Sequence, residues 1–156
     1  MPDAAPDARF GEMREAALSI FGYALEHASI DRGFARHVHY ERGVLRVCED
    51  LYDLHSYSRV LTISLGKAGH AMVETLVGLV GGSLEGIVAS PVEPATQLRG
   101  FRYFRGGHPT PNAESVEAAR AILKALDALP ASALLYAHWL KEPPPRLSGL
   151  YWMPAR

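Results

Sequence analysis

The sequence predicts an α/β fold, Rossmann-like, with a mostly parallel sheet lying between helices on both faces. Three observations predict it. The runs RVLTISL (59–65) and LEGIVAS (84–90) are almost wholly apolar and rich in β-branched residues, as expected of strands buried on both faces of a parallel sheet. Segments 67–80 and 112–129 carry apolar residues at helical spacing. Their order, strand–helix–strand–strand–helix, is that of right-handed crossovers between parallel strands.

The chain opens on the polar, acidic stretch MPDAAPDARF. It reads as a tail, and it lacks the basic start and long apolar run of a signal peptide. A helix is expected over 10–28, where Ala17, Ile20, Phe21, Ala24, Leu25 and Ala28 form one apolar stripe suited to burial. Ser29 or Asp31 is placed to cap a short helix. Residues 37–47 then alternate around Glu41-Arg42-Gly43, which predicts a small hairpin. His37 and His39, two apart, would share one strand face, but Zn²⁺ needs three or four ligands and no third is placed. Asp50, Asp53 and His55 read as a loop.

Strand 59–65 ends at Gly66, and the helix after it presents Met72, Val73, Leu76, Val77 and Val80 on one face. Strand 84–90 is stopped by Pro91. A third strand is expected over 101–105 (FRYFR), followed by the turn GGHPTPN and a helix whose buried stripe would be Val116, Ala119, Ile122, Leu123 and Leu126. Glu114 and Glu117 lie in its first turn, where acids suit the helix dipole.

The bulk numbers narrow the function. The chain has 156 residues, 48% hydrophobic, with 16 basic and 17 acidic residues and a net charge of −1 at pH 7. That length suits one domain or part of a larger one. A near-neutral charge gives no electrostatic case for nucleic acid or an anionic membrane. The most apolar stretch, 71–80, falls short of the about 20 residues a bilayer span needs. Cys48 is the single cysteine, so neither an intrachain disulfide nor a thiolate metal cage can form. A cytoplasmic protein is the expectation.

Two strand-to-helix turns carry the chemistry. Gly66-Lys67-Ala68-Gly69-His70 lies where a helix begins, and helix starts expose N–H groups and the positive end of a dipole. Gly66 and Gly69 let the backbone approach an anion, and Lys67 adds a full charge. The turn is a phosphate or carboxylate site, or else a tight turn with a solvated lysine. It is not a Walker P-loop, since Leu61 and Ala68 stand where that motif has Gly and Ser or Thr. The second turn, Gly106-Gly107-His108-Pro109-Thr110-Pro111-Asn112, combines flexible glycines with stiff prolines. It either presents His108 and Asn112 in fixed positions or caps the following helix through Thr110 or Asn112. Ser64 reads as a small core residue. Arg99, Arg102 and Arg105 read as a solvated surface, or as a basic edge facing an anion.

A strand ending in G-K-A-G and a later one ending in G-H-P-x-P-N together resemble the glycerate 2-kinase family, some members of which are labelled hydroxypyruvate reductase. The resemblance runs from the first helix through HYERGVLRV to about Leu129. It implies transfer of a phosphoryl group from ATP, with Mg²⁺, to the 2-hydroxyl of D-glycerate, in a cleft between two α/β domains. Lys67 matches the motif lysine that acts on the transferred phosphate. Gly66, Gly69, Gly107, His108 and Asn112 match the binding turns. No metal ligand is assigned, and the oligomeric state is left open.

The family continues past the helix near Leu129 with a strand and a glycine-rich S-G-G-G-S loop for nucleotide phosphates. Here the corresponding residues read YAHWLKEPPP. The expectation is therefore a truncated α/β portion over 1–130 and a Pro-rich tail over 131–156, not native to the fold: ASALLY (131–136) begins like another sheet strand, but no strand or helix period survives in the AHWLKEPPPRLSGLYWMPAR that follows. Trp139, Tyr151 and Trp152 in it read as exposed. A frameshift or truncation near Ala133 accounts for the break. Such a chain should show little or no kinase activity alone, and its open sheet edge should favour aggregation. Two rival readings remain: a non-catalytic anion-binding remnant, and an NAD(P)H-dependent hydroxypyruvate reductase. No G-x-G-x-x-G follows any strand to support the second.

Overall fold

The computed structural model describes residues 6–82, 84–139 and 150–154, with side chains described for 9–82 and 84–135. The first helix, α1 (Pro6–His27), leads into α2 (Ile30–His37), whose N-cap Ser29 accepts a hydrogen bond from the Arg32 backbone N–H. Three short strands follow, β1 (Val38–Glu41), β2 (Val44–Val47) and β3 (Asp50–Asp53), forming an antiparallel sheet in the order β1-β2-β3. The β1–β2 turn is Arg42-Gly43, both at positive φ (50° and 88°), the geometry of a two-residue hairpin turn that matches strand twist.

The second sheet carries the candidate site. Its strands are β4 (Arg59–Leu65), β5 (Glu85–Ser90), β6 (Phe101–Arg105), β7 (Ala133–Trp139) and β8 (Leu150–Pro154), in the order β6-β5-β4-β7-β8. The first four run parallel, and β8 pairs antiparallel with β7. Helix α3 (Gly69–Val80) joins β4 to β5, and α4 (Ala113–Asp127) joins β6 to β7. These two crossovers travel in opposite directions along the sheet. Right-handedness therefore sets the helices on opposite faces, and the predicted α/β class holds.

Register explains the core. Ser64 pairs with Val88, and Gly86 with both Thr62 and Phe101, so these side chains share the α3 face. There Val73, Leu76 and Val80 of α3 pack with Val88, Leu84 and Phe101, and with Phe34, Val38, Leu45 and Val47 from α2 and the small sheet. Leu61, Ile63 and Ile87 alternate onto the opposite face, also buried.

Five expectations are corrected. The α1 stripe is not buried: every residue from 9 to 26 is exposed, and the core cluster begins at Ile30 and Phe34. Helix α4 is rotated from its predicted face, with Ala118 buried while Val116 and Leu123 face outward; small residues let a helix approach a sheet, and counting large apolar residues misses that. Asp50 to Asp53 is a strand, not a loop, because it completes the antiparallel sheet by pairing with β2. His37 closes α2 while His39 lies in β1, so the two share no strand face. In the tail, Leu150–Pro154 is a strand paired with β7. The YAHWLKEPPP expectation falls largely on residues 140–149, outside the described residues, as do the side chains of Trp139, Tyr151 and Trp152.

Two outcomes follow from this packing. Leu76 is 1% exposed, so Leu76→Ala should destabilise the chain by about 3 kcal/mol in urea unfolding. Tyr52 is pushed from its usual 10.0 to about 12, by burial first and then by the charge and hydrogen bond of Asp50. Between those values the folded chain keeps a proton the unfolded chain has lost, so stability falls as pH rises through the window. Tyr52→Phe should flatten that part of the alkaline unfolding profile.

Candidate functional site

Strands β4, β5 and β6 are parallel, so their carboxyl ends lie along one edge. The turn after β4 begins with Gly66 at φ 98°, a left-handed conformation that glycine adopts without strain. Gly66 N–H donates to Ala89 O at 2.9 Å, which ties the turn to β5, and Gly69 N–H donates to Gly66 O at 3.0 Å. Gly69 is buried, and a Cβ there would sit 3.1 Å from Ser64 Oγ. Ser64 is more than a small core residue: its buried hydroxyl donates to Gly69 O at 2.7 Å, pinning the start of α3 to the end of β4.

Among the described residues, no side chain caps the α3 start. Its N-cap is Ala68, which supplies no side-chain hydrogen bond, and its first turn holds no acidic residue. The positive end of the dipole thus meets no charge of the helix's own. Lys67 is exposed beside it. The second residue of α3, His70, is anchored sideways: its Nδ1 lies 3.0 Å from Tyr103 Oη, which accepts the Leu98 N–H at 3.2 Å. Burial raises the Tyr103 phenol above its usual 10.0, and the nearby Glu74 carboxylate adds to the rise. His70 and Tyr103 were not singled out in the sequence; one GKAGH turn does not reveal which strand its histidine will meet.

The turn after β6 is organised differently. Gly106 N–H donates to Ser90 O at 3.2 Å. A Cβ at Gly107 would lie 2.2 Å from Thr110 O and 2.8 Å from Asn112 N, so only glycine fits this fold of the loop. Asn112 caps α4: its Oδ1 accepts from Ser115 N–H at 2.9 Å, and its Nδ2 donates to Arg105 O at 3.0 Å. Ser115 Oγ completes the box by accepting from Asn112 N–H at 3.2 Å and Gly107 N–H at 3.0 Å. Glu114 accepts from Arg105 N–H at 2.7 Å. Of the two strand-to-helix turns, α4's is closed by its own side chains and α3's is not. Asn112 serves the cap rather than facing a ligand, while His108, before Pro109, is exposed.

The two turns share an edge but are not neighbours. β5 separates β4 from β6, which places them about 10 Å apart at the spacing of adjacent strands. The three arginines do not converge: Arg99 precedes β6, Arg102 lies over the Phe104 ring at 5.3 Å, and Arg105 approaches Glu93 at 3.7 Å. Among the described residues, no group of three or more His, Cys, Asp or Glu comes together to hold a metal ion. No helix among them is long and apolar enough to cross a membrane.

Topology singles out the Lys67 turn. The connection from β4 leads to β5 on one side, and that from β6 returns to β7 on the other. β4 and β7 therefore flank the point where connections diverge, and open α/β sheets bind ligands outside the carboxyl ends of such strands. The fold and turn define a largely parallel α/β domain with the start of α3 and Lys67 at its switch point. The chain belongs to the family described as Domain of unknown function (DUF4147), whose model matches residues 16–137. That domain is the N-terminal domain of glycerate 2-kinase/MOFRL-family proteins. Among solved structures the chain is similar to the PH0495 protein from Pyrococcus horikoshii OT3, at 21% identity and a TM-score of 0.66. The match covers 80% of this chain and 28% of that one, so this chain spans well under half its length. No curated protein matches.

The cap assignment is testable. Asn112→Ala should cost about 1 kcal/mol in urea unfolding, with the amide resonances of Gly66 to His70 unmoved.

Proposed function

We propose that this domain is the substrate-anion half of a glycerate 2-kinase-type phosphotransferase, holding the carboxylate or the transferred phosphoryl group of a small hydroxy acid at the Lys67 turn. The observation that carries the reading is the uncapped start of α3 at the switch point, with Lys67 beside it. Phosphoryl transfer consists largely of positioning and of neutralising the equatorial oxygens. Lys67 and the first amides of α3 suit that task, and Gly66 and Gly69 keep side chains out of the anion's way. His108, exposed on the next loop but one, stands where a cleft wall would be.

ATP would supply the phosphoryl group, which passes to the 2-hydroxyl of D-glycerate and leaves ADP, while the hydroxyl proton goes to a base. Mg²⁺ takes one or two carboxylates with substrate phosphates and water, and this chain's residues are proposed to bind and orient the anion rather than complete the transfer. A second reading, in which the turn binds an anion without chemistry, is supported by the sequence YAHWLKEPPP where the family has its S-G-G-G-S loop.

The discriminating measurement is titration of the isotope-labelled chain with D-glycerate, 2-phosphoglycerate and ATP–Mg²⁺, alongside an assay for ADP release. Shifts at Gly66 to His70, weakened about tenfold or more by Lys67→Gln, are expected from loss of a charged hydrogen bond. ADP formation would favour the kinase reading, and binding without it the non-catalytic one. Absence of shifts at the turn, or indifference to Lys67→Gln, overturns both.

A further inference from the structure

The most unusual surface of the molecule lies far from this site. Helix α1 has 22 residues, and Phe10, Met13, Leu18, Ile20, Phe21, Tyr23 and Leu25 are each between 54% and 71% exposed. Monomeric proteins rarely leave so large an apolar patch uncovered. Nor does intrinsic propensity hold the helix: Gly11 and Gly22 lie in its interior, at about 1 kcal/mol each relative to Ala. Helical stability in proteins comes mainly from packing an amphipathic face, and here no core residue supplies that packing. Phe10, Met13, Leu18, Ile20, Phe21 and Leu25 share one side of the helical wheel, with Arg14 among them, whereas Glu12, Glu15, Ser19 and Glu26 lie on the other, where Tyr23 stacks on His27.

We propose that a second copy of this chain covers α1, through an antiparallel helix pair about a two-fold axis between Ala17 and Leu18. Two observations carry the choice of occupant. The first is area: six large side chains on one side, each more than half exposed, offer on the order of 700 Å², close to the contribution of one partner to a standard interface. The second is self-complementarity, which a two-fold interface demands. In this register Phe10 lies opposite Leu25 of the second copy. Arg14, the one charge inside the apolar side, meets the ring of the second copy's Phe21, where a cation is favourable. No like charges fall directly opposite one another.

The full chain is tested by sedimentation equilibrium and by cross-linking. The expected mass is twice the 17.0 kDa of one chain. Phe21→Glu should weaken the dimer about 30-fold or more, as burying an unpaired charge at a central anchor does. Because α1 lies outside the core, its circular dichroism melting curve should still show a cooperative domain. Orientation is read in a Cys48→Ser background, Cys48 being exposed. Ala17→Cys lies beside the axis and should oxidise to a covalent dimer. Glu26→Cys should not, since its two copies would be about 25 Å apart along antiparallel helices. A monomer at every concentration overturns the proposal and leaves α1 to another polypeptide. So does polydisperse association, an association insensitive to Phe21→Glu, or equal cross-linking at both positions, which signals a parallel pair.

Discussion

β4 is the element on which the rest of the structure depends. It is paired on both sides, with β5 and with β7, and Leu61, Thr62, Ile63 and Ser64 are all buried. A strand so enclosed has no freedom to shift register, because a one-residue slip would exchange its two faces. Its carboxyl end is therefore a fixed point, and Gly66 turns the chain there in a left-handed conformation. The Ser64–Gly69 hydrogen bond then sets the axis of α3 relative to the strand. The position of the Lys67 backbone follows from these constraints, which makes the turn a preorganised feature of the fold.

The two helix starts at this edge show how one architecture can present opposite surfaces. At α4, Asn112 and Ser115 satisfy the first amides and Glu114 brings a negative charge. At α3, Ala68 satisfies none by its side chain, and Lys67 brings a positive charge. A dipole end already occupied by a carboxylate and a capping box has little left to offer an incoming anion, whereas an open one beside an ammonium group attracts it. The contrast explains why the pair of motifs is not a pair of equivalent binding loops. GGHPTPN builds the scaffold and exposes His108; GKAG presents the field.

Much of this was legible in the sequence, and the exceptions have physical causes. Strands 59–65 and 101–105 were read with the bounds the structure shows; for 59–65 the cause is two-sided burial, which leaves an unbroken apolar run. The hairpin at Arg42-Gly43 and the start of α4 at Asn112 were marked by turn and cap residues, whose signals are local. What failed was tertiary. The stripe along α1 shows that the helix has an apolar side, but not whether this chain supplies a surface to meet it. The α4 face was misjudged because Ala118 packs closely by being small, whereas Val116 and Leu123 are large and outward. Asp50 to Asp53 has little apolar content, and only the exposed edge of β2 makes it a strand. The His70–Tyr103 contact joins residues 33 apart, beyond any local pattern.

A phosphoryl-transfer site also needs to exclude water, since the electrostatic work of a lysine and a helix start is far weaker in contact with bulk solvent. One carboxyl edge of one sheet cannot provide that. The Lys67 turn has β5 and its loop on one side, held in place through Leu98, Tyr103 and His70. On its other side is β7, whose last paired residue, Trp139, stands opposite Leu65. In the solved relative the matched region is 28% of the chain, so most of that protein lies outside the portion compared. On the proposed reading, binding would depend on the rigid backbone geometry close in sequence to β4, whereas closure in phosphotransferases depends on a surface that must move to admit substrate and release product.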